Sequence, residues 1–222
     1  MLVEGYTEET FVRDVLYHLL VPAGIFVTPR MPPTSATGRG GGRSFASWLR
    51  TTRDWLLRDQ RAYLTTMFDV YGLPSDFPRL VESRAISDIY KRAEFLEGQF
   101  REVVAGATHN VQQRFIPYLQ MHEFEALVFS NLKELEDLER DWVGRADACS
   151  HEAKGFPTPE HVNDSIVTAP SKRLEKHFHS PAYRKLLHGV LAVQSIGLTH
   201  IRSRCRRFDA WLNNLSSLPP IA

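Results

Sequence analysis

The chain has only two cysteines, Cys149 and Cys205, in 222 residues. They lie far apart and match neither a zinc-ligand spacing nor a disulfide framework, which leaves two free thiols of the kind a reducing compartment keeps. No apolar run approaches the roughly 20 residues needed to cross a bilayer. The amino terminus lacks the basic region and apolar run of a signal peptide, because Glu4, Glu8 and Glu9 interrupt it. These absences lead to the expectation of a cytoplasmic protein with no membrane contact. There is no internal repeat and no low-complexity tract to mark an array or a linker. Net charge is also small, at +1. That near-neutrality hides an asymmetry: residues 121–170 hold 4 Lys and Arg against 11 Asp and Glu, whereas residues 171–222 hold 9 against 2. The basic carboxyl-terminal quarter is either an anion-facing surface or a face docked on the acidic segment.

What is present is a chain long enough for a substantial core, with 13 Phe and 4 Trp to fill it. Leu2-Val3 forms a strand stub that runs into Glu4-Gly5. From Thr7, a suitable N-cap, apolar residues at Phe11, Val12, Val15, Leu16, Leu19 and Leu20 follow a helical repeat, which Pro22 and Gly24 stop. Residues 25–27 are a short strand candidate. A glycine-rich loop, "TGRGGGRSF", precedes a second helix carrying Trp48 and Trp55. "AYLTTMFDVYGLP" predicts a buried strand over 63–68, ending at Asp69 and turning at Gly72. A long helix is expected over 81–104. Then "RFIPYLQMHEFEALVF" predicts a buried strand over 115–120 that passes into a helix near His122 or Glu123. "NLKELEDLERDW" is an acidic helix with Leu132, Leu135 and Leu138 on its inner face, residues 149–170 are a long loop, and the remainder from Ser171 is helical in pattern. Only three residues precede Glu4, so the first strand is short or begins upstream.

Strands alternating with helices imply right-handed crossovers and a mainly parallel α/β sheet flanked by helices. The expected layout is an α/β domain over residues 1–130 with a helical extension over 131–222. Ligand sites in such sheets gather at the carboxyl ends of the strands, and there the acids fall: Glu4, then Asp69, then Glu123 and Glu125. Clustered carboxylates repel unless a cation sits among them. Oxygen donors without Cys suit a hard ion such as Mg²⁺ or Mn²⁺. Glu8, four residues after Glu4, can fold back beside it; alternatively Glu8 or Glu9 is a helix-cap acid.

"VEGYTEETFV" with a later strand ending "FDVYGLP" resembles the Toprim domain, the metal-dependent module of topoisomerases, primases and OLD-type nucleases. The blocks "TTMFDVYGLPSDFP", "PYLQMHEFEALVFS" and "TAPSKRL" are similar to a narrower bacterial group, domain-of-unknown-function family 4276, often encoded beside AAA/ABC-type ATPases. The resemblance implies a Toprim-like fold in which Glu4 is a metal ligand and proton-transfer group, Glu8 the second acid of a Glu-Gly-x-x-Glu pattern, and Asp69 the first aspartate of Asp-x-Asp. Tyr71 stands in place of the second aspartate. It cannot serve as an anionic ligand at neutral pH, so Glu123 or Glu125 supplies the charge, or one metal is held rather than two, or catalysis is lost.

Around this core, Arg39 and Arg43 flank Gly40 to Gly42 and are candidate phosphate contacts, although the Lys-Ser/Thr ending of a phosphate-binding nucleotide loop is missing. Lys172 is a candidate for the same role, and Tyr71 and His122 are candidates to support the acids. "IRSRCRRF" is the densest basic run, yet on a helix its arginines spread over more than one face, and no base-reading motif is present. The resulting expectation is a Mg²⁺- or Mn²⁺-dependent nuclease with catalytic Glu4, Asp69 and Glu123, a metal cage of Glu4, Glu8, Asp69, Glu123 and Glu125, a DNA or RNA substrate, and a role in prokaryotic defence with an ATPase. The alternatives are a catalytically degenerate regulatory subunit of an ATPase complex and a phosphotransfer enzyme that uses the same metals.

Overall fold

The computed structural model describes residues 1–32, 44–108, 111, 113–163 and 165–221. Four short strands form one sheet: β1 (Leu2–Val3), β2 (Leu64–Asp69), β3 (Phe115–Ile116) and β4 (Leu119–Gln120). Every pairing is parallel, with β2 at the centre, β1 on one side and β3 and β4 on the other. The helices are α1 (Tyr6–Phe11), α2 (Tyr17–Leu20), α3 (Phe45–Arg58), α4 (Leu80–Ser83), α5 (Ile89–Ala107) and α6 (Leu132–Glu136). They continue as α7 (Arg145–Ala153), α8 (Pro170–His177), α9 (Val190–Ile196), α10 (Leu198–Arg204) and α11 (Arg206–Ser216). None is long and apolar enough to cross a membrane.

β2 is buried along its whole length, as its unbroken apolar and threonine run predicts for a strand covered on both faces. Side chains alternate across the pleat. Val3 and Met67 face a core containing Phe11, Phe124, Trp142, Phe208 and Trp211, whereas Leu2, Leu64 and Phe68 face one built from Trp48, Leu96, Phe100 and Phe115. The first core draws on both the amino-terminal elements and the carboxyl-terminal helices, so α9, α10 and α11 cover one face of the sheet. By parity, Asp69 opens toward that same face.

The expected strand over 115–120 is split, because Pro117 has no N–H to give to the ladder. Thr66 of β2 fills the gap. Its hydroxyl accepts from the Tyr118 N–H at 2.9 Å and donates to the Tyr118 carbonyl at 2.8 Å. Beside it, the Trp211 indole N–H donates to the Thr65 hydroxyl at 3.0 Å. A threonine pair inside a buried strand thus satisfies both a broken ladder and a helix packed above it.

Other expectations shift locally. Residues 25–27 form no strand; the described segment after them bridges to β1 at Arg30, through Val3 N–H to Arg30 O at 2.9 Å and Arg30 N–H to Met1 O at 2.8 Å. The helix from Thr7 to Leu20 forms as α1 and α2 joined by a π turn at Val12–Leu16, and Gly5, not Thr7, is its N-cap residue. The helix expected over 81–104 breaks into α4 and α5, because Asp88 caps a new start by accepting from the Tyr90 and Lys91 amides. After Glu123 the chain forms 3₁₀ turns over Phe124–Ser130 in place of an α-helix, and residues 149–153 are helical where a loop was expected.

Thr66→Val removes two buried hydrogen bonds that no other described group replaces. It is expected to lower unfolding stability by roughly 2 kcal/mol, measured by urea denaturation. A change within about 0.5 kcal/mol, the usual range for a neutral surface substitution, would show that the threonine does not hold the split strand.

Candidate functional site

Register places the acids. Val3 pairs with Met67 and Asp69 with Gln120, so Glu4, Asp69 and the turn after β4 emerge side by side at the carboxyl edge of the sheet. The Asp69 N–H donates to Glu4 Oε2 at 2.9 Å. Gly72 lets the glutamate lie there: a Cβ at that position would stand 2.2 Å from the same carboxylate oxygen. The glycine at the end of "FDVYGLP" is therefore required by a close approach and not by an unusual backbone angle.

Three further groups complete the cluster. Glu8, on the first turn of α1, is 3% exposed, Asp69 is 5% exposed and Glu125 is fully buried. Among them sits an ammonium that the local sequence does not mark out. Lys185 Nζ lies 3.0 Å from Glu125 Oε2, 3.4 Å from Asp69 Oδ2 and 3.8 Å from Glu8 Oε1. Lys185 opens a π turn, Lys185–Gly189, that packs against α1. Its companion His188 accepts from the Arg184 N–H at 2.9 Å through Nδ1 and meets the Trp142 ring edge-on, which fixes the turn.

The electrostatics follow from burial. Desolvation raises the Asp69 pKa well above the usual carboxylate range; Lys185 opposes this, while Glu8, Glu4 and Glu125 add to it. Desolvation also raises Glu8, against the pull of Lys185, and brings Glu125 up to about 7. Burial works against the Lys185 ammonium, but Asp69, Glu125 and Glu8 outweigh it and hold the pKa above the ordinary lysine value. Glu8 Oε1, Asp69 Oδ1 and Glu125 Oε1 have no hydrogen-bond partner among the described residues. Four carboxylates stand against one ammonium, with buried oxygens of Glu8, Asp69 and Glu125 unsatisfied, and the remaining charge is of the kind that bound protons or a further cation would offset. The donor set is all oxygen and fits Mg²⁺ or Mn²⁺. Among the described residues, no three acidic, histidine or cysteine side chains are already drawn to ligand distances; Lys185 stands between them.

The remaining predicted residues divide. Glu123 turns away from Glu125: its Oε2 accepts from the Ser171 N–H at 2.9 Å, at the start of α8. Lys172 is exposed and pairs with Glu175 at 2.7 Å. Tyr71 packs its ring on His122, with centroids 5.5 Å apart, and its N–H donates to the His122 carbonyl. His122 is buried in the left-handed region (φ 60°), and neither ring nitrogen has a partner among the described residues. Burial, then the charges of His161 and Arg92, lowers its pKa to about 4, so the imidazole is neutral at pH 7. Arg39 and Arg43 lie outside the described residues. A second buried acid went unnoticed in the sequence: Glu160 accepts from the Arg207 and Phe208 amides at the start of α11 and from the Tyr90 hydroxyl. Its role is to hold that helix end, not to join the cluster.

A parallel α/β domain with carboxylates gathered at its strand ends, around one lysine, is the class that fold and site define. The chain belongs to the family described as Domain of unknown function (DUF4276), whose profile matches residues 3–216. No curated protein and no solved structure matches it.

Two outcomes check this geometry. The folded protein holds a proton on Glu125 more tightly than the unfolded chain does, so wild type should lose stability relative to Glu125→Gln as pH rises from 4.5 to about 7. The slope is at most about 1.4 kcal/mol per pH unit, measured by urea denaturation with a chelator present; a difference that does not change with pH contradicts it. Separately, Gly72→Ala should cost roughly 1–3 kcal/mol through overpacking, and much less in a Glu4→Ala background. Equal costs in both backgrounds would show that the glycine does not make room for Glu4.

Proposed function

We propose that this protein is a Mg²⁺- or Mn²⁺-dependent phosphodiesterase of Toprim type that cuts nucleic acid, acting in prokaryotic defence together with an AAA/ABC-type ATPase. The observation that carries the reading is the convergence of Glu4, Glu8, Asp69 and Glu125 at one sheet edge, with buried oxygens of Glu8, Asp69 and Glu125 left without hydrogen-bond partners among the described residues. Strand-end Glu4 and Asp69 match the acids that the Toprim resemblance implies.

Asp69, Glu8 and Glu125 would hold the ion. When bound, it supplies water activation and charge stabilisation at the phosphoryl oxygens. Glu4, oriented by the Asp69 amide and the space at Gly72, accepts the proton of the attacking water. Lys185 offsets negative charge that develops on the phosphodiester. Burial of Asp69 and Glu125 keeps bulk water from screening these charges. Glu123, expected from the sequence both in the catalytic set and in the cage, accepts from the Ser171 N–H at the start of α8, and in this reading the cage rests on Glu125, which lies against Lys185.

A second reading is favoured by Tyr71, which stands where a further acid is expected, and by the amine among the carboxylates: a degenerate subunit that keeps the site for docking alone. One experiment separates the two. Plasmid DNA and tRNA are incubated with the protein and Mn²⁺ or Mg²⁺, with and without the ATPase. Cleavage that needs the ion and falls on the order of 100-fold or more in both Glu4→Gln and Asp69→Asn supports the phosphodiesterase. Cleavage unchanged by both substitutions sinks the assigned site, and no cleavage even with the ATPase favours the docking subunit.

A further inference from the structure

We propose that the site takes a single divalent ion, and that the Lys185 ammonium stands where a second would lie. The inference rests on the metal reading above and concerns how many ions that site accepts. An ion shared by several carboxylates bridges their oxygens; Lys185 Nζ does so here, touching Glu125 Oε2 and Asp69 Oδ2 and approaching Glu8 Oε1. The ammonium lies close to one oxygen each of Glu125 and Asp69, whereas Glu8 Oε1, 3.8 Å away, has no hydrogen-bond partner among the described residues. The other oxygens of Asp69 and Glu125, Oδ1 and Oε1, have no partner among the described residues although they are buried. That leaves donors for one further cation beside the ammonium.

The sequence and charge balance agree. Two residues after Asp69, where a second acid would supply ligands to another ion, the chain has Tyr71, whose ring packs against His122. With every carboxylate ionised, as metal binding requires, four carboxylates and one ammonium leave three negative charges, and one divalent ion reduces these to one. A second ion beside Lys185 would turn the buried cluster positive and bring like charges within a few ångströms of each other.

Lys185 is built to stay. It opens a turn held by the Arg184 N–H to His188 Nδ1 bond and by the His188 N–H to Arg184 carbonyl bond at 2.8 Å. At the end of the turn, Gly189 makes room for the Tyr183 hydroxyl, which a Cβ would meet at 2.8 Å.

The test counts ions directly. Mn²⁺ bound per chain is measured by equilibrium dialysis, with electron paramagnetic resonance of the free ion, on wild type, Lys185→Met and Lys185→Arg. The expected result is one ion for wild type, two for Lys185→Met and one for Lys185→Arg, which keeps the charge. Two ions on wild type overturn the inference while leaving the metal site standing, as does one ion on both wild type and a folded Lys185→Met. If Lys185→Met does not fold, the wild-type and Lys185→Arg counts decide: one ion on each supports the inference, and two on either overturns it. No ion bound to any of the three proteins removes the metal reading itself, and the inference with it.

Discussion

The structure depends on the contact between the Lys185 ammonium and the buried carboxylates of Glu8, Asp69 and Glu125. Without a counter-charge, three acids at a few per cent exposure would repel one another and resist ionising. With the ammonium among them, the amino-terminal helix, the central strand, the turn after β4 and the carboxyl-terminal half are tied at one point. Removing one partner of such a buried set typically costs several kcal/mol, because the others stay buried without compensation. The lysine therefore works on two levels: it closes the fold over the sheet edge, and it sets the charge that any ligand of the site meets.

That contact also explains why the helical carboxyl-terminal region packs across one face of the sheet. The face of β2 carrying Thr65, Met67 and Asp69 needs an apolar cover along most of its length and a polar partner at its end. Phe208 and Trp211 of α11 supply the apolar cover, with the Trp211 indole satisfying Thr65. Lys185 supplies the partner at Asp69. Glu160 holds the start of α11 through the Arg207 and Phe208 amides, so the helix is fixed both by packing and by a buried carboxylate at its positive end.

Much of this was legible in the sequence. The run "LTTMFD" could only be a buried strand, and an acid at its end together with Glu4 after β1 located the site edge. Gly72 was visible as a turn residue, though not as the space that Glu4 requires. What could not be read depends on distant partners. Lys185 lies 116 residues from Asp69, and nothing in "YRKLLHG" separates it from a solvated lysine. Glu123 and Glu125 look equivalent in "HEFE"; only the position of α8 decides that Glu123 takes the Ser171 amide and Glu125 turns inward. Residues 25–27 have strand composition but form no strand, and the described segment after them bridges to β1 at Arg30. Composition reports what a segment can become, and the neighbour that completes it lies elsewhere in the chain.

The central proposal is a cation site at the carboxyl edge of this sheet, built from Glu8, Asp69 and Glu125 beside Lys185. Anomalous diffraction from crystals grown with Mn²⁺ tests it most directly, since the signal locates the ion without assumptions about activity. The account predicts one anomalous peak within coordination distance of Asp69 and Glu125, with Lys185 still among the acids. A peak elsewhere on the protein, or none at the sheet edge while the four carboxylates remain as described, would contradict it.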